Sequence, residues 1–196
     1  MIGAVVLAAG RSERMETQKL LLPLRGRPII TGIVDELLRS PLERIVVVVG
    51  RDAAQIQSAL AGRAVAFAQN PDPAGDMLSS VRCGLRILPA GCEAVLVGLG
   101  DQPGIKQGLV AGLVSAFHET RRGIIVPTHA GRRGHPLLFD ARFRDEILTR
   151  YDGAGLRGLL AAHPEEILEY TVPSAAQFDD VDTPEDYARL VNSTPA

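Results

Sequence analysis

A repeated alternation limits this chain more than any other feature: short, wholly apolar runs are followed by segments with helical apolar spacing. Residues 3–8, 44–49, 94–99 and 124–127 are such runs, and 64–68 is a weaker one. Between them, 28–40 places Ile29, Ile33, Leu37 and Leu38 on one helical stripe. The segment 52–60 reads as a helix with Asp52 at its N-cap, 76–88 carries Met77, Val81, Leu85 and Leu88 at helical spacing, and 106–121 is a further helix. A strand that is apolar throughout has no polar side to give to water, so both faces are buried. Such strands alternating with helices build βαβ units and a parallel sheet. The expected fold is α/β: one doubly wound, mostly parallel sheet flanked by helices, with residues 1–196 forming a single domain. Ligands of open sheets bind beyond the carboxyl ends of the strands. That directs attention to the loops after Ala8, Ala68, Leu99 and Thr128.

The second half is less regular. Residues 137–139 read as a short strand, 143–148 and 154–163 as helices, 166–172 as an edge strand and 184–191 as a closing helix, with 192–196 expected to fray. The strongest apolar stretch near the N-terminus, 2–9, is too short for a signal-peptide core, and no basic segment precedes it. No run approaches the roughly 20 apolar residues that span a bilayer, so a cytoplasmic protein is expected. A formal net charge of −2 gives no electrostatic reason to bind nucleic acid or a membrane surface. Cys83 and Cys92 have no histidine or cysteine partner at a zinc-ligand spacing and read as ordinary thiols. The loop after the first strand is neither a Walker A motif nor the G-x-G-x-x-G of dinucleotide-binding oxidoreductases.

That first loop nevertheless has the chemistry of an anion site. Leu7, Ala8, Ala9 and Gly10 let a ligand approach the backbone closely, and Gly10 offers the positive φ that a tight turn can require. Backbone N–H groups in a concave turn bind anions. Ser12 adds a hydroxyl, and Arg11, Arg14 and Lys19 bring three cations within ten residues. Arg14 suits two parallel hydrogen bonds to a phosphate, and Lys19 a mobile point charge.

Two acidic segments follow. The run 94–99 ends in Gly100-Asp101-Gln102-Pro103, which puts a carboxylate where the crevice opens. Far along the chain, Asp180-Val181-Asp182 precedes Thr183-Pro184, with Thr183 as helix N-cap and Pro184 at the first helical position. Magnesium takes one or two carboxylates together with phosphates and waters. Asp101 and Asp182 supply such a pair if the fold joins the two turns, with Asp180 as substitute or outer partner. Between them, Gly75 gives backbone access and Ser79 and Ser80 give hydroxyls near a helix N-terminus, while Gly134-His135-Pro136 forms a glycine turn beside Arg132 and Arg133.

The segment from Leu7 to Lys19 resembles the L-A-A-G-x-S-x-R-M-x-x-x-K motif of the MobA-like nucleotidyltransferases. Asp101 matches the aspartate of the family's G-D-x-P, and 180–187 its closing D-x-D-T-P-E-D-Y. Residues 70–85 are similar to its N-x-x-x-x-x-G-x-x-S-S-x-x-x-G-L segment, although Asp72-Pro73 stands where an aromatic residue is usual. A second departure is Glu16 in place of the usual glycine, a carboxylate that must turn away from a triphosphate. The resemblance runs from about residue 3 to about residue 190.

It implies a Rossmann-like nucleotidyltransferase fold and a magnesium-dependent transferase. Leu7 to Ser12, Arg14 and Lys19 would wrap the nucleoside triphosphate, with Arg14, Lys19 and Asp101 catalytic. Asp101 and Asp182 would hold the metal, and Gly75, Ser79 and Ser80 would meet base and ribose. Ala9, Gln102 and the R-x-G-H-P element point to the molybdenum cofactor cytidylyltransferases. These transfer CMP from CTP to molybdopterin, with Gly134, His135 and Pro136 on the acceptor and a molybdenum hydroxylase as client. A cytidylyltransferase for methylerythritol phosphate or another small phosphorylated acceptor, a molybdenum cofactor guanylyltransferase, and a non-catalytic cofactor-delivery chaperone remain alternatives.

Overall fold

The computed structural model describes residues 1–10, 15, 17–72 and 75–192. In chain order the elements are β1 (Ile2–Ala8), β2 (Pro23–Leu24), β3 (Arg27–Pro28), α1 (Ile29–Leu38), β4 (Arg44–Val49), α2 (Ala53–Ala59), β5 (Ala66–Gln69), α3 (Met77–Ile87), β6 (Ala94–Leu99) and α4 (Gln107–Thr120). There follow β7 (Ile124–His129), β8 (Arg132–Arg133), β9 (Leu137–Asp140), α5 (Arg144–Thr149), α6 (Leu156–Ala162), β10 (Ile167–Thr171) and α7 (Pro184–Asn192). Among the described residues the main sheet has eight strands, ordered β10-β7-β9-β6-β1-β4-β5, with β8 paired to β7.

The expected α/β architecture holds, and the apolar runs explain where each strand lies. β1 is central and parallel to both β4 and β6, with Val5 beside Val46 on one side and Val97 on the other. Its residues alternate between two cores. Ala4, Val6 and Ala8 pack with Ile29, Ile30, Ile33 and Leu37 of α1 and with α2 and α4. Val5 packs on the opposite face with Leu78, Val81 and Leu85 of α3 and with α5 and α6. Burying a valine or leucine side chain stabilises the fold by about 1.5–3 kcal/mol. This two-sided burial is why β1, β4 and β6 show no polar alternation.

The sheet departs from the parallel pattern at one place. β9 runs antiparallel to both β6 and β7, and β8 forms a tight hairpin with β7. The turn residues Ala130 and Gly131 both have positive φ, 48° and 78°, the conformation that two-residue hairpins require. β10 is parallel to β7 at the sheet edge, as the weaker pattern of 166–172 suggests. The small β2–β3 hairpin is too short to leave an apolar signature. No helix among the described residues is long and apolar enough to cross a membrane.

One close approach fixes how α3 lies on the sheet. A Cβ at Gly84 would stand 2.4 Å from Val5 Cγ1 and 2.8 Å from its Cγ2. Gly84→Ala should therefore cost about 1–3 kcal/mol, as other overpacking changes do. Urea unfolding with an unchanged slope measures it, and a loss under about 0.5 kcal/mol would show that the helix can shift freely.

Candidate active site

The loop after β1 lies between the ends of its two neighbours, and both end in glycine for a steric reason. A Cβ on Gly100 would stand 2.8 Å from Leu7 O, and one on Gly50 would stand 2.9 Å from Ala9 O. Gly100 N–H donates to Leu7 O at 2.9 Å, tying the β6 turn to this loop. Gly10, which is free to take a positive φ, does not do so. The loop continues into a single helical turn, Lys19–Leu21. Gln18 anchors that turn by donating from Nε2 to Asp52 Oδ2 at 2.7 Å. Asp52 accordingly makes no side-chain cap bond to α2, although it occupies the expected N-cap position.

The distant acidic segments converge on Lys19. Val181 N–H donates to Asp101 O at 3.1 Å, which lays the C-terminal segment against the end of β6. Lys19 Nζ then donates to Asp101 Oδ2 at 2.6 Å and to Asp182 Oδ1 at 2.7 Å. The lysine side chain is only 11% exposed, against 20% for Asp101 and 44% for Asp182. Burial pulls the Lys19 pKa down, but Asp101 and Asp182 more than offset it, so the pKa is raised and the ammonium is secured at neutral pH.

The remaining acids of this region do other things. Thr183 N–H donates to Asp186 Oδ2 at 2.9 Å and Asp186 N–H donates to Thr183 Oγ1 at 3.2 Å, a reciprocal cap on α7. Those bonds from Thr183, partly opposed by burial, hold the Asp186 carboxyl below its usual range. Asp180 has its pKa raised, first by burial and then by the charge of Asp182. It lines a neighbouring cavity, and the Lys19 charge partly offsets the rise.

Two carboxylates turned toward one cation are a hard-oxygen donor pair, and the Lys19 ammonium occupies the position of a positive charge between them. No group of three or more metal-ligating side chains occurs among the described residues. A pair suits an ion that completes its shell with phosphate oxygens and water. The chemistry of Asp101 and Asp182 therefore fits a divalent ion.

On the β5 side, Asn70 is 6% exposed and organises the turn into α3. Its Nδ2 donates to Ser79 Oγ and Ser80 Oγ, each at 2.9 Å, and its Oδ1 accepts from Asp72 N–H at 3.1 Å. Asp76 caps α3 through Ser79 N–H at 2.8 Å. A Cβ on Gly75 would stand 2.3 Å from Ser79 Oγ, so Gly75 and the two serines form one packed unit. Asn70 opens the motif segment 70–85, but its role as the group that ties the two serines together is visible only in the fold.

On the β6 side, the pairing of β9 with β6 places Leu137 beside Val97. Gly134, His135 and Pro136 precede it in sequence. A Cβ on Gly134 would stand 2.3 Å from the Phe178 ring, so only glycine lets this strand pass. His135 lines a cavity of about 530 Å³ together with Gln102, Arg132, Arg157, Asp180 and apolar side chains of α6. Arg157 gave no motif in the sequence. Arg11, Ser12 and Arg14, together with Glu16 and Pro73, lie outside the described residues.

A lysine held between two aspartates on a mostly parallel sheet fits a Rossmann-like nucleotidyltransferase. The chain belongs to the MobA-like NTP transferase family, whose domain it matches over residues 4–167. Bifunctional protein GlmU from Burkholderia lata is 39% identical over 127 residues, 63% of this chain and 27% of that protein. The match thus spans about a quarter of GlmU's length. Nicotine blue oxidoreductase from Paenarthrobacter nicotinovorans is 28% identical across 97% of this chain and 96% of its own. Rv0371c from Mycobacterium tuberculosis H37Rv superposes with a TM-score of 0.85 at 26% identity, covering 98% of this chain and 97% of that one. A manganese complex of Rv0371c gives 0.81 at 25% identity, covering 98% and 99%.

Burial lowers the His135 pKa from its usual 6.5, against the pull of the Asp101 charge. Below that value the unfolded chain takes up a proton that the folded histidine refuses. Stability contributed by neutral His135 is therefore lost as pH falls below 6.5. His135→Gln should flatten this part of the stability profile in urea titrations on either side of that pH. An equally steep acid decline in the variant assigns the effect to other groups.

Proposed function

We propose that this chain transfers CMP from CTP to the terminal phosphate of molybdopterin, releasing pyrophosphate, and that residues 1–196 act as one catalytic unit. The observation that carries this reading is the meeting of Lys19, Asp101 and Asp182 at the mouth of the β1 loop. The nucleotide lies on the β1–β4–β5 side. There Leu7, Ala8, Ala9 and Gly10 let the phosphates approach the backbone at the end of β1, joined by Arg11, Ser12 and Arg14 of the motif. Gly75, Ser79 and Ser80 flank base and ribose. The acceptor lies on the opposite side of the β1 loop, against Gly134, His135 and Pro136, where His135 as neutral imidazole donates an N–H.

In the reaction an acceptor phosphate oxygen forms a bond to the α-phosphorus of CTP. The bond from the α-phosphorus to its bridging oxygen breaks, and that electron pair leaves with pyrophosphate. A phosphate nucleophile is already ionised near neutral pH, so no general base is needed. Positioning and charge neutralisation carry the rate. Arg14 and Lys19 neutralise the departing pyrophosphate, and the raised pKa of Lys19 keeps its charge available. Asp101 and Asp182 hold a divalent ion, which when bound supplies further charge neutralisation at the phosphates. The manganese complex of Rv0371c supports a divalent ion, and magnesium is our assignment. The product would serve a molybdenum hydroxylase.

Pyrophosphate release separates the readings. Release with CTP and molybdopterin, and little with GTP or ATP, is expected. Preference for GTP overturns the cytidine assignment, and release that needs methylerythritol phosphate instead of molybdopterin overturns the acceptor. Absence of release with any of these pairs leaves a carrier role. Lys19→Ala should cut turnover by about 100-fold or more, as loss of other preorganised donors does; turnover within about threefold of wild type rejects its role. Asp101→Asn should abolish metal-dependent turnover, and a fully active variant removes Asp101 from the metal site.

A further inference from the structure

Lys19 and the two aspartates it bridges are held unequally. The backbone carbonyl of Asp101 accepts from Val181 N–H at 3.1 Å, and Asp182 N–H donates to Asp186 Oδ2 at 3.3 Å. Both carboxylates therefore stand on backbone that is tied in place. The turn that carries Lys19 is fixed as well. Leu20 is 3% exposed, Leu22 N–H donates to Lys19 O at 3.2 Å, and Gln18 Nε2 donates to Asp52 Oδ2 at 2.7 Å. What can move is the side chain of Lys19, a flexible stem ending in a compact point charge.

Its ammonium takes one oxygen from each aspartate, Asp101 Oδ2 at 2.6 Å and Asp182 Oδ1 at 2.7 Å. A divalent ion that used the same pair would need those oxygens or would sit beside a like charge. Around a side chain this buried, solvent ions screen that repulsion poorly. A bare divalent ion thus meets two carboxylates already shared with a cation. A triphosphate meets the opposite, a cation that can swing to its anionic oxygens. Once Lys19 turns to those oxygens, the two aspartates are left as an open donor pair beside the phosphates.

We propose that Lys19 excludes a bare divalent ion from Asp101 and Asp182 and yields that pair only when a triphosphate draws the ammonium away. The inference rests on the transfer reading above and deepens it: the site takes a metal and a triphosphate together and resists the metal alone. Lys19 then has two duties that one substitution separates. Loss of the ammonium improves the binding of one ligand and impairs the binding of the other. A merely structural contribution of Lys19 moves both in the same direction.

The test reads binding, not turnover. Free Mn2+ is counted by its paramagnetic resonance, without nucleotide, in wild type, Lys19→Met and Lys19→Gln. Potassium chloride at about 0.5 M screens the charges of more distant side chains. Both variants should bind Mn2+ at least about tenfold more tightly than wild type, since no charged hydrogen bonds need be broken to admit it. In Lys19→Met combined with Asp101→Asn that gain should disappear. Unchanged or weaker Mn2+ binding in either single variant overturns the proposal. So does a gain that survives Asp101→Asn, because the ion then sits elsewhere. The second arm titrates the non-reacting analogue α,β-methylene-CTP by calorimetry in the presence of EDTA. Lys19→Met and Lys19→Gln should bind it about tenfold more weakly, the loss expected of one charge-assisted contact. Equal binding by wild type and variants shows that the triphosphate does not draw the ammonium, and overturns the proposal. Both effects without pyrophosphate release from any nucleotide leave Lys19 as the excluding residue while the transfer reading fails; release by wild type with neither effect does the reverse.

Discussion

One ammonium group shared by two carboxylates joins three segments that are remote in sequence. Lys19 follows the β1 loop, Asp101 ends β6 and Asp182 opens α7, and Nζ lies 2.6 and 2.7 Å from the two aspartates. Without a cation between them, two carboxylates held this close would repel, and the C-terminal segment would lose its electrostatic reason to dock. The Val181 N–H to Asp101 O bond supplies a second, charge-independent latch at the same place. The arrangement is therefore both a structural clasp and a position where positive charge is stabilised, which is what a triphosphate and its ion demand.

The cleft is divided by the central strand. Because β1 has parallel neighbours on both sides, the loop leaving it is flanked by two strand ends, and Gly50 and Gly100 keep those ends from filling the space. On one flank Asn70 locks the serines of the α3 turn into a small polar unit. On the other, the antiparallel β9 brings His135 and Pro136 across the end of β6, where Gln102 and α6 complete a cavity lined by both apolar and charged side chains. The two flanks thus differ in chemistry, one presenting hydroxyl and amide groups, the other leucines together with arginines.

The sequence by itself determined the α/β layering, because two-sided burial demands apolar strands and one-sided burial demands helical stripes. The paired strands β1, β4 and β6 and the helices between them were legible for that reason, and so was the Thr183 cap. The motif residues Lys19, Asp101 and Asp182 were legible as types, since phosphate and metal chemistry use few side chains. Only the tertiary structure decided that these three meet, that Asp182 hydrogen-bonds Lys19, and that Asp52 serves Gln18 in place of capping α2. It also decided that β9 inserts antiparallel, a choice set by long-range pairing with β6 and β7 that leaves no mark in a four-residue apolar run. Arg157 left no motif, and the contacts of Asn70 and Gln102 were not legible although both stand in motif segments, for one physical reason. Their importance comes from what surrounds them in space, and sequence spacing encodes contacts along one element, not those between elements that fold together from opposite ends of the chain.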